Sequence, residues 1–127
     1  MDNNKFPLPL SILSGRLAIC RLKKEGQIPK WAGDSKRFLS VTRTEDALSI
    51  VCEEGIVPSG VRSEKGWRAI KIEGDLGFSL TGVLVSLLNP LAEAKISVFA
   101  ISTYNTDYVL VKEGKLREAI EALSGFF

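Results

Sequence analysis

The sequence predicts an α+β protein whose second half has the ferredoxin-like order of strands and helices. From Trp67 to Glu73 the apolar side chains recur at every second residue, as in a strand, and the run stops at Gly74. After Ser79 the apolar positions follow helical spacing instead. They are Leu80, Val83, Leu84, Leu87, Leu88 and Leu91. Two more strands and a last helix follow, which gives the order β-α-β-β-α, a ferredoxin-like unit without its final strand.

The second half is predicted to contain three strands and two helices. The strands cover residues 67–73, 96–102 and 108–112, and the helices cover residues 79–94 and 114–124. Pro90 removes a backbone hydrogen bond inside the first helix, so we expect a kink there, or a restart with Asn89 as the cap. In the last helix an apolar stripe of core residues is formed by Leu116, Ala119, Ile120 and Leu123.

The first half is rich in strand signals and has room for one helical turn at most. β-rich runs predict strands over residues 10–14, 16–23, 38–43 and 47–52. The three residues between the last two strands suit an antiparallel hairpin. Residues 26–34 hold too many helix breakers for more than one turn. We expect a strand from residues 9–23 to supply the edge strand that the second half lacks.

Residues 55–66 carry Pro58 and three glycines, which indicates a linker between the two halves. We therefore expect two domains, residues 1–60 and residues 61–127. Neither domain should fold alone, because the first half has strands without a covering helix and the second half lacks a strand.

The turn from Gly74 to Gly82 is the strongest candidate for ligand contact. A strand that ends at glycine and leads directly into a helix leaves unpaired N–H groups in the turn, and such groups attract carboxylates and phosphates. Glycine is equally what any tight strand-to-helix turn needs, so both interpretations stay open. Asp75 either binds a ligand amine or places its charge near the positive end of the helix, and we favour the second role.

Composition and charge exclude several classes of function. The chain of 127 residues has a net charge of +2, with 9 basic against 3 acidic residues in 1–43 and 8 against 12 after them. The basic residues are scattered among apolar ones, as on a solvated face, so we expect no nucleic-acid partner. No apolar run is long enough to span a bilayer, and residues 1–6 are too polar for a secretory signal. We expect a cytoplasmic protein with no membrane partner.

Catalytic and metal chemistry are not predicted. The chain has no histidine, and Cys20 and Cys52 lie among apolar neighbours, where we expect buried free thiols. No acid pair and no thiol beside a base lies in the candidate turn. We therefore expect a protein that is not an enzyme and that uses no cofactor and no metal.

Four segments of the second half resemble the ACT regulatory domains. They are Trp67–Gly74, Gly82–Leu84, Leu88–Ala94 and Val98–Val111, and the run from Ser102 to Asp107 is the most specific part. The branch they resemble is shared by small bacterial ACT proteins, the regulatory regions of aspartate kinases and CASTOR-type arginine sensors. The resemblance implies a ferredoxin-like ACT fold of two tandem ACT-like units, with antiparallel sheets and helices on one face. Residues 1–60 would be a degenerate N-terminal ACT-like unit, and residues 61–127 the C-terminal ACT domain.

The resemblance also implies a non-catalytic, allosteric module that binds an amino acid or a similar small ligand where two ACT units meet. In relatives the ligand lies against the turn after the first strand and against the strand junction that ends in an aspartate. The matching residues are Asp75, Leu76, Gly77, Phe78, Ser79, Thr81, Ser102, Thr103, Asn105 and Asp107. Asp107 would hold a ligand ammonium or guanidinium group, or else cap the turn 103–106. Phe78 departs from the commoner family turn, which has more small residues.

Three functions from different classes follow. The leading hypothesis is amino-acid sensing by a homodimer that acts on a protein partner of unknown identity. The alternative is a structural oligomerisation domain with a vestigial pocket. A third, RNA binding on the sheet, needs exposed aromatic residues with Lys or Arg on the central strands. We expect the strands of residues 96–102 and 108–112 to be central, and residues 96–102 offer only Phe99.

Overall fold

A computed structural model describes residues 9–73 and 82–126 of the chain. These residues form two compact units. One unit, residues 15–67, is called the inserted unit, because the chain leaves the other unit to form it and then returns. The other unit, residues 9–14 with 68–126, is called the C-terminal unit. The division into domains at residue 60 remains a prediction.

The chain contains seven strands and two α-helices within the described residues. The strands are β1 Leu10–Ile12, β2 Leu17–Leu22, β3 Leu39–Arg43, β4 Leu48–Glu53, β5 Ser63–Ile72, β6 Phe99–Ser102 and β7 Asp107–Lys112. The helices are α1 Val83–Glu93 and α2 Leu116–Ala122. Short 3-10 turns cover Lys30–Asp34, Glu54–Ile56, Glu113–Lys115 and Ser124–Phe126. Within the described part of the chain, neither helix has the length and apolar character needed to cross a membrane.

The C-terminal unit has the ferredoxin-like arrangement, and its last strand comes from the beginning of the chain. β1 pairs antiparallel with β5, in a register that sets Leu10 opposite Ile72. β5 is flanked by β1 and β7, and β6 pairs antiparallel with β7. The prediction that residues 9–23 supply the missing strand is therefore confirmed. The prediction that 96–102 is a central strand is wrong, since β6 lies at the end of the strand order.

The inserted unit repeats this arrangement with almost no helix. Its strand order is β3-β4-β2-β5, and all three pairings are antiparallel. The predicted hairpin is confirmed, because β3 pairs with β4 so that Arg43 lies opposite Leu48. The two connections that hold α1 and α2 in the C-terminal unit hold only the 3-10 turns Lys30–Asp34 and Glu54–Ile56 here. The two glycines and the proline of residues 26–34 explain the first of these losses.

Each unit has its own apolar core. The core of the C-terminal unit consists of Ile70, Ile72, Val83, Leu87, Leu91, Ile96, Val109, Val111, Ala119 and Leu123. The core of the inserted unit is smaller and consists of Ala18, Cys20, Ala32, Ile50, Cys52 and Val57. Both thiols are free and buried, as the sequence predicts.

Several elements differ in extent from the sequence prediction, including β6, which begins at Phe99, and α2, which covers Leu116–Ala122. β5 begins at Ser63, inside the expected linker, because its first residues pair with β2. A register shift between Leu17 and Ile19 and a positive φ of 83° at Gly66 accommodate this pairing. α1 continues from Val83 to Glu93 through Pro90, without a restart at Asn89.

Candidate functional site

The predicted ligand-binding residues fall into two groups. Asp75, Leu76, Gly77, Phe78, Ser79 and Thr81 lie outside the described residues. Ser102, Thr103, Asn105 and Asp107 lie together at the β6–β7 hairpin of the C-terminal unit. The structure therefore places residues 102, 103, 105 and 107 on one hairpin. The role of residues 75–81 in ligand binding stays a prediction.

The β6–β7 hairpin is closed by a hydrogen-bonded turn. Ser102 lies opposite Asp107, and the N–H of Thr103 donates to the carbonyl of Thr106 over 2.9 Å. The hydroxyl of Thr103 donates to the same carbonyl over 3.0 Å, and the N–H of Thr106 donates back to that hydroxyl over 3.3 Å. Tyr104 and Asn105 are left at the exposed tip. The two threonines thus stabilise the turn locally.

Thr106 also ties the hairpin to β5. Its side chain is buried, and its hydroxyl donates to the carbonyl of Ile72 over 2.6 Å. Ile72 is the last residue of β5 and lies just before the candidate turn of residues 74–81. The hairpin is therefore held beside the point where the chain enters that turn.

The other side of the end of β5 is held by β1. The N–H of Glu73 donates to the carbonyl of Pro9 over 2.8 Å, and the hydroxyl of Ser11 donates to the Glu73 carboxylate. Lys71 forms an ion pair of 3.5 Å with the other carboxylate oxygen. The Ser11 hydrogen bond, with a smaller contribution from Lys71, lowers the pKa of Glu73, so this carboxylate stays charged to lower pH than usual.

Asp107 is the acidic group that the hairpin presents. It is the first residue of β7, and its side chain is half-buried. Among residues 9–73 and 82–126, no hydrogen bond or ion pair joins its carboxylate to another residue, and the bonds across the turn come from Thr103 and Thr106. A half-buried carboxylate of this kind can accept hydrogen bonds from a cationic ligand group.

The sequence-based list of site residues omits Thr106. No local pattern singles it out, because Ser102, Thr103 and Thr106 are all small hydroxyl residues in one short run. What distinguishes Thr106 is a partner 34 positions away in the chain.

No metal centre accompanies this hairpin in the described residues. Within them, no three His, Cys, Asp or Glu side chains lie close enough together to hold a metal ion. The groups that the hairpin offers are one carboxylate, several hydroxyls and backbone donors and acceptors, which suit recognition of a small polar molecule.

The fold and this hairpin define a ferredoxin-like α+β domain whose sheet is completed from the beginning of the chain. The model of the ACT domain family matches residues 62–125, which is half of the chain. A second family model, described as an N-terminal domain, matches residues 15–60. The chain belongs to the ACT domain family, as its resemblance predicts.

Proteins that resemble this chain include cytosolic arginine sensors for mTORC1. The cytosolic arginine sensor for mTORC1 subunit 1 of Pongo abelii is 43% identical over 111 residues, which cover 81% of this chain and 34% of that protein. The human putative protein CASTOR3P is 36% identical over 104 residues, 72% of this chain and 64% of that protein. The chain therefore spans about a third of the length of the arginine sensor that it matches.

Solved structures support the same fold. A protein from Agobacterium tumefaciens superposes with a TM-score of 0.86 at 38% identity and covers 93% of this chain and 87% of its own. Clostridium acetobutylicum aspartate kinase superposes with a TM-score of 0.70 over 98% of this chain and 36% of its own. Its identity of 10% shows a shared fold alone. The regulatory subunit of aspartate kinase from Thermus thermophilus gives a TM-score of 0.61 at 8% identity, over 88% of this chain and 91% of its own.

Proposed function

We propose that this chain is a non-catalytic regulatory module that binds an amino acid at the C-terminal unit and acts through dimerisation. The observation that carries the proposal is the half-buried Asp107 carboxylate. It stands without a partner among the described residues, on a hairpin that Thr106 ties to the end of β5. Membership of the ACT domain family supports the same interpretation.

The chemistry of the site matches the two charged groups of an amino acid. Asp107 accepts hydrogen bonds from the ligand's ammonium group, or from a guanidinium side chain. The backbone N–H groups of residues 74–81, which lie outside the described residues, would bind the carboxylate before the helix. In this proposal the residues that contact the ligand are Asp75, Leu76, Gly77, Phe78, Ser79, Thr81, Ser102, Thr103, Asn105 and Asp107.

The names of the relatives support a regulatory role for this chain. One relative is named an arginine sensor, and several structural neighbours are aspartate kinases or their regulatory subunits. Because the chain covers 34% of that sensor, arginine enters only as one candidate ligand.

The proposal is tested by calorimetry with a panel of amino acids. For the amino acid that binds, Asp107→Asn should weaken binding by about 1–3 kcal/mol, roughly 5- to 150-fold in Kd, because a hydrogen bond to a charged group is lost. The matched control is Asp34→Asn, which removes an exposed carboxylate from the inserted unit and should leave Kd unchanged.

Two results would count against the proposal. If Asp107→Asn binds the ligand as tightly as the original protein, Asp107 is not a ligand contact. If no amino acid in the panel raises the melting temperature or releases heat, the alternative of an oligomerisation domain with a vestigial pocket is favoured.

A further inference from the structure

A groove outside the candidate amino-acid site crosses the inserted unit where β2 ends, β3 turns into β4 and β5 begins. It comprises two cavities of about 470 and 360 Å³. Arg21 and Arg62 line both cavities, so the two cavities meet at these side chains. We call this feature the arginine groove.

The backbones of the two arginines of the groove are joined by a hydrogen bond. The N–H of Arg21 donates to the carbonyl of Arg62 over 3.0 Å, and both side chains are exposed. The guanidinium of Arg21 donates to the carbonyl of Asp46 over 3.4 Å, which directs it towards the β3–β4 turn. The guanidinium of Arg62 makes no hydrogen bond or ion pair within the described part of the chain. Two cationic side chains therefore line both cavities, and neither guanidinium forms an ion pair with a carboxylate in the described part of the chain.

The larger cavity adds charges of both signs around this pair. Lys23 and Lys24 contribute two more cations, and the carboxylates in the lining are Glu25, Glu45 and Asp46. In this cavity the cations outnumber the acids by one, and Glu64 of the smaller cavity brings the whole groove to four cations and four acids. The acids other than Glu64 lie on the turns that border the groove, at residues 25 and 45–46, whereas the two arginines line both cavities.

The lining of the smaller cavity is more apolar and has more hydroxyl groups than that of the larger cavity. Its lining includes Ile19 and Ala47 as apolar surfaces, and Ser49 and Ser63 as hydroxyl groups. Glu64 adds a carboxylate to its lining. A ligand with an anionic group at the arginines thus has an apolar and hydroxyl-lined surface for the rest of its body.

The backbone around the groove is held in place by hairpin contacts. The guanidinium of Arg43, at the end of β3, donates to the carbonyl of Lys24, just beyond β2. This bond ties the hairpin to the end of the neighbouring strand, as Thr106 ties its own hairpin to Ile72 in the C-terminal unit.

We propose that the arginine groove binds a small organic anion, with its carboxylate or phosphate group between Arg21 and Arg62. The planar guanidinium groups present paired donors that match the oxygens of either group. The body of the ligand lies over Ile19 and Ala47 in the smaller cavity. All residues of the groove belong to the inserted unit. The proposal that the groove binds an anion is therefore independent of the proposal that Asp107 binds an amino acid.

The test is calorimetry and a backbone NMR titration of the full chain with two probes, succinate and inorganic phosphate. We expect saturable binding of at least one probe, with the largest shift changes at residues 19–24, 45–49 and 62–64. Binding should weaken as NaCl is raised, because salt screens exposed charges. Saturation by succinate alone assigns the groove to carboxylates, and saturation by phosphate alone assigns it to phosphorylated ligands.

Paired variants separate the site from general surface charge. Arg62→Gln should weaken binding by about tenfold or more, because a charge-assisted hydrogen bond is lost. Arg117→Gln removes an exposed charge of the same kind from α2 and should change Kd by less than about twofold, since Arg117 is not among the residues that line the two cavities. Melting curves of both variants verify that they remain folded. Equal loss in the two variants, or no saturation by either probe, would overturn the proposal.

Discussion

Thr106 shows how one hydroxyl can position a site. Its side chain is buried and bonded to the carbonyl of Ile72, at the junction of β5 and the candidate turn. Thr106→Val keeps the shape of the side chain but leaves that carbonyl without its donor. We expect a loss of about 1–3 kcal/mol in the free energy of unfolding, because a buried polar group becomes unsatisfied.

Urea denaturation measures this change, and Thr42→Val is the matched control. Thr42 lies exposed on β3, so the control should stay within about 0.5 kcal/mol of the original protein. If amino-acid binding depends on the hairpin, Thr106→Val should also raise Kd. Equal stability of the two variants would mean that the hydrogen bond to Ile72 contributes little.

The two cysteines are predicted to be unreactive in the folded protein. Burial, with a smaller contribution from neighbouring Cys20, raises the pKa of Cys52 to about 12, and burial also raises the pKa of Cys20. Because the thiolate is the reactive form, almost none is present at pH 8. A thiol reagent should therefore label the native protein far more slowly than the protein in urea.

Labelling followed by mass spectrometry measures this difference, with the urea-unfolded chain as the control for full reactivity. Rapid modification of both thiols in the native protein would contradict the burial of Cys20 and Cys52 and would indicate frequent opening of the inserted unit.

At the scale of elements, β1 decides whether the C-terminal unit is complete. Leu10–Ile12 pairs with the end of β5, and the bonds of Glu73 and Ser11 extend that contact. A fragment of residues 60–127 lacks β1 and leaves this edge of β5 unpaired. We expect it to show no sharp thermal transition, because a sheet edge and its apolar face lose their cover.

The fragment of residues 9–127, which retains β1, is the control and should melt like the full chain. Circular dichroism during heating compares the two fragments. A cooperative transition of fragment 60–127 at the temperature of the full chain would show that β1 is dispensable.

The helices and strands differ in how far the sequence predicts them. Both α-helices, the β3–β4 hairpin and the β6–β7 hairpin follow from local apolar spacing. The beginning of β5 does not, because Ser63 to Gly66 carry no apolar alternation and become a strand through pairing with β2. The edge position of β6 likewise depends on which strands lie beside it, which apolar spacing does not report.

At the scale of the whole molecule, we predict a homodimer with two-fold symmetry. β6 pairs with β7 on one side, and no described strand pairs with its other side. An unpaired edge tends to associate with another chain, and symmetric pairs are the commonest oligomers. Light scattering at high micromolar concentration should give twice the mass of 13.9 kDa.

Dilution provides the control, because a weak dimer separates into monomers as the concentration falls. A monomer mass at every concentration would contradict the prediction and would leave any amino-acid site to be formed within one chain.

Local sequence determined the class of fold, the positions of the main helices and hairpins, the burial of the two thiols and the likeness to the ACT domains. Each of these depends on side chains within a few positions of one another, or on a motif such as residues 102–107. Tertiary structure alone decided that β1 completes the C-terminal unit, that Thr106 bonds to Ile72 and that Arg21 and Arg62 share a groove. These features join residues that are distant in the chain, and apolar periodicity carries no information about such pairs.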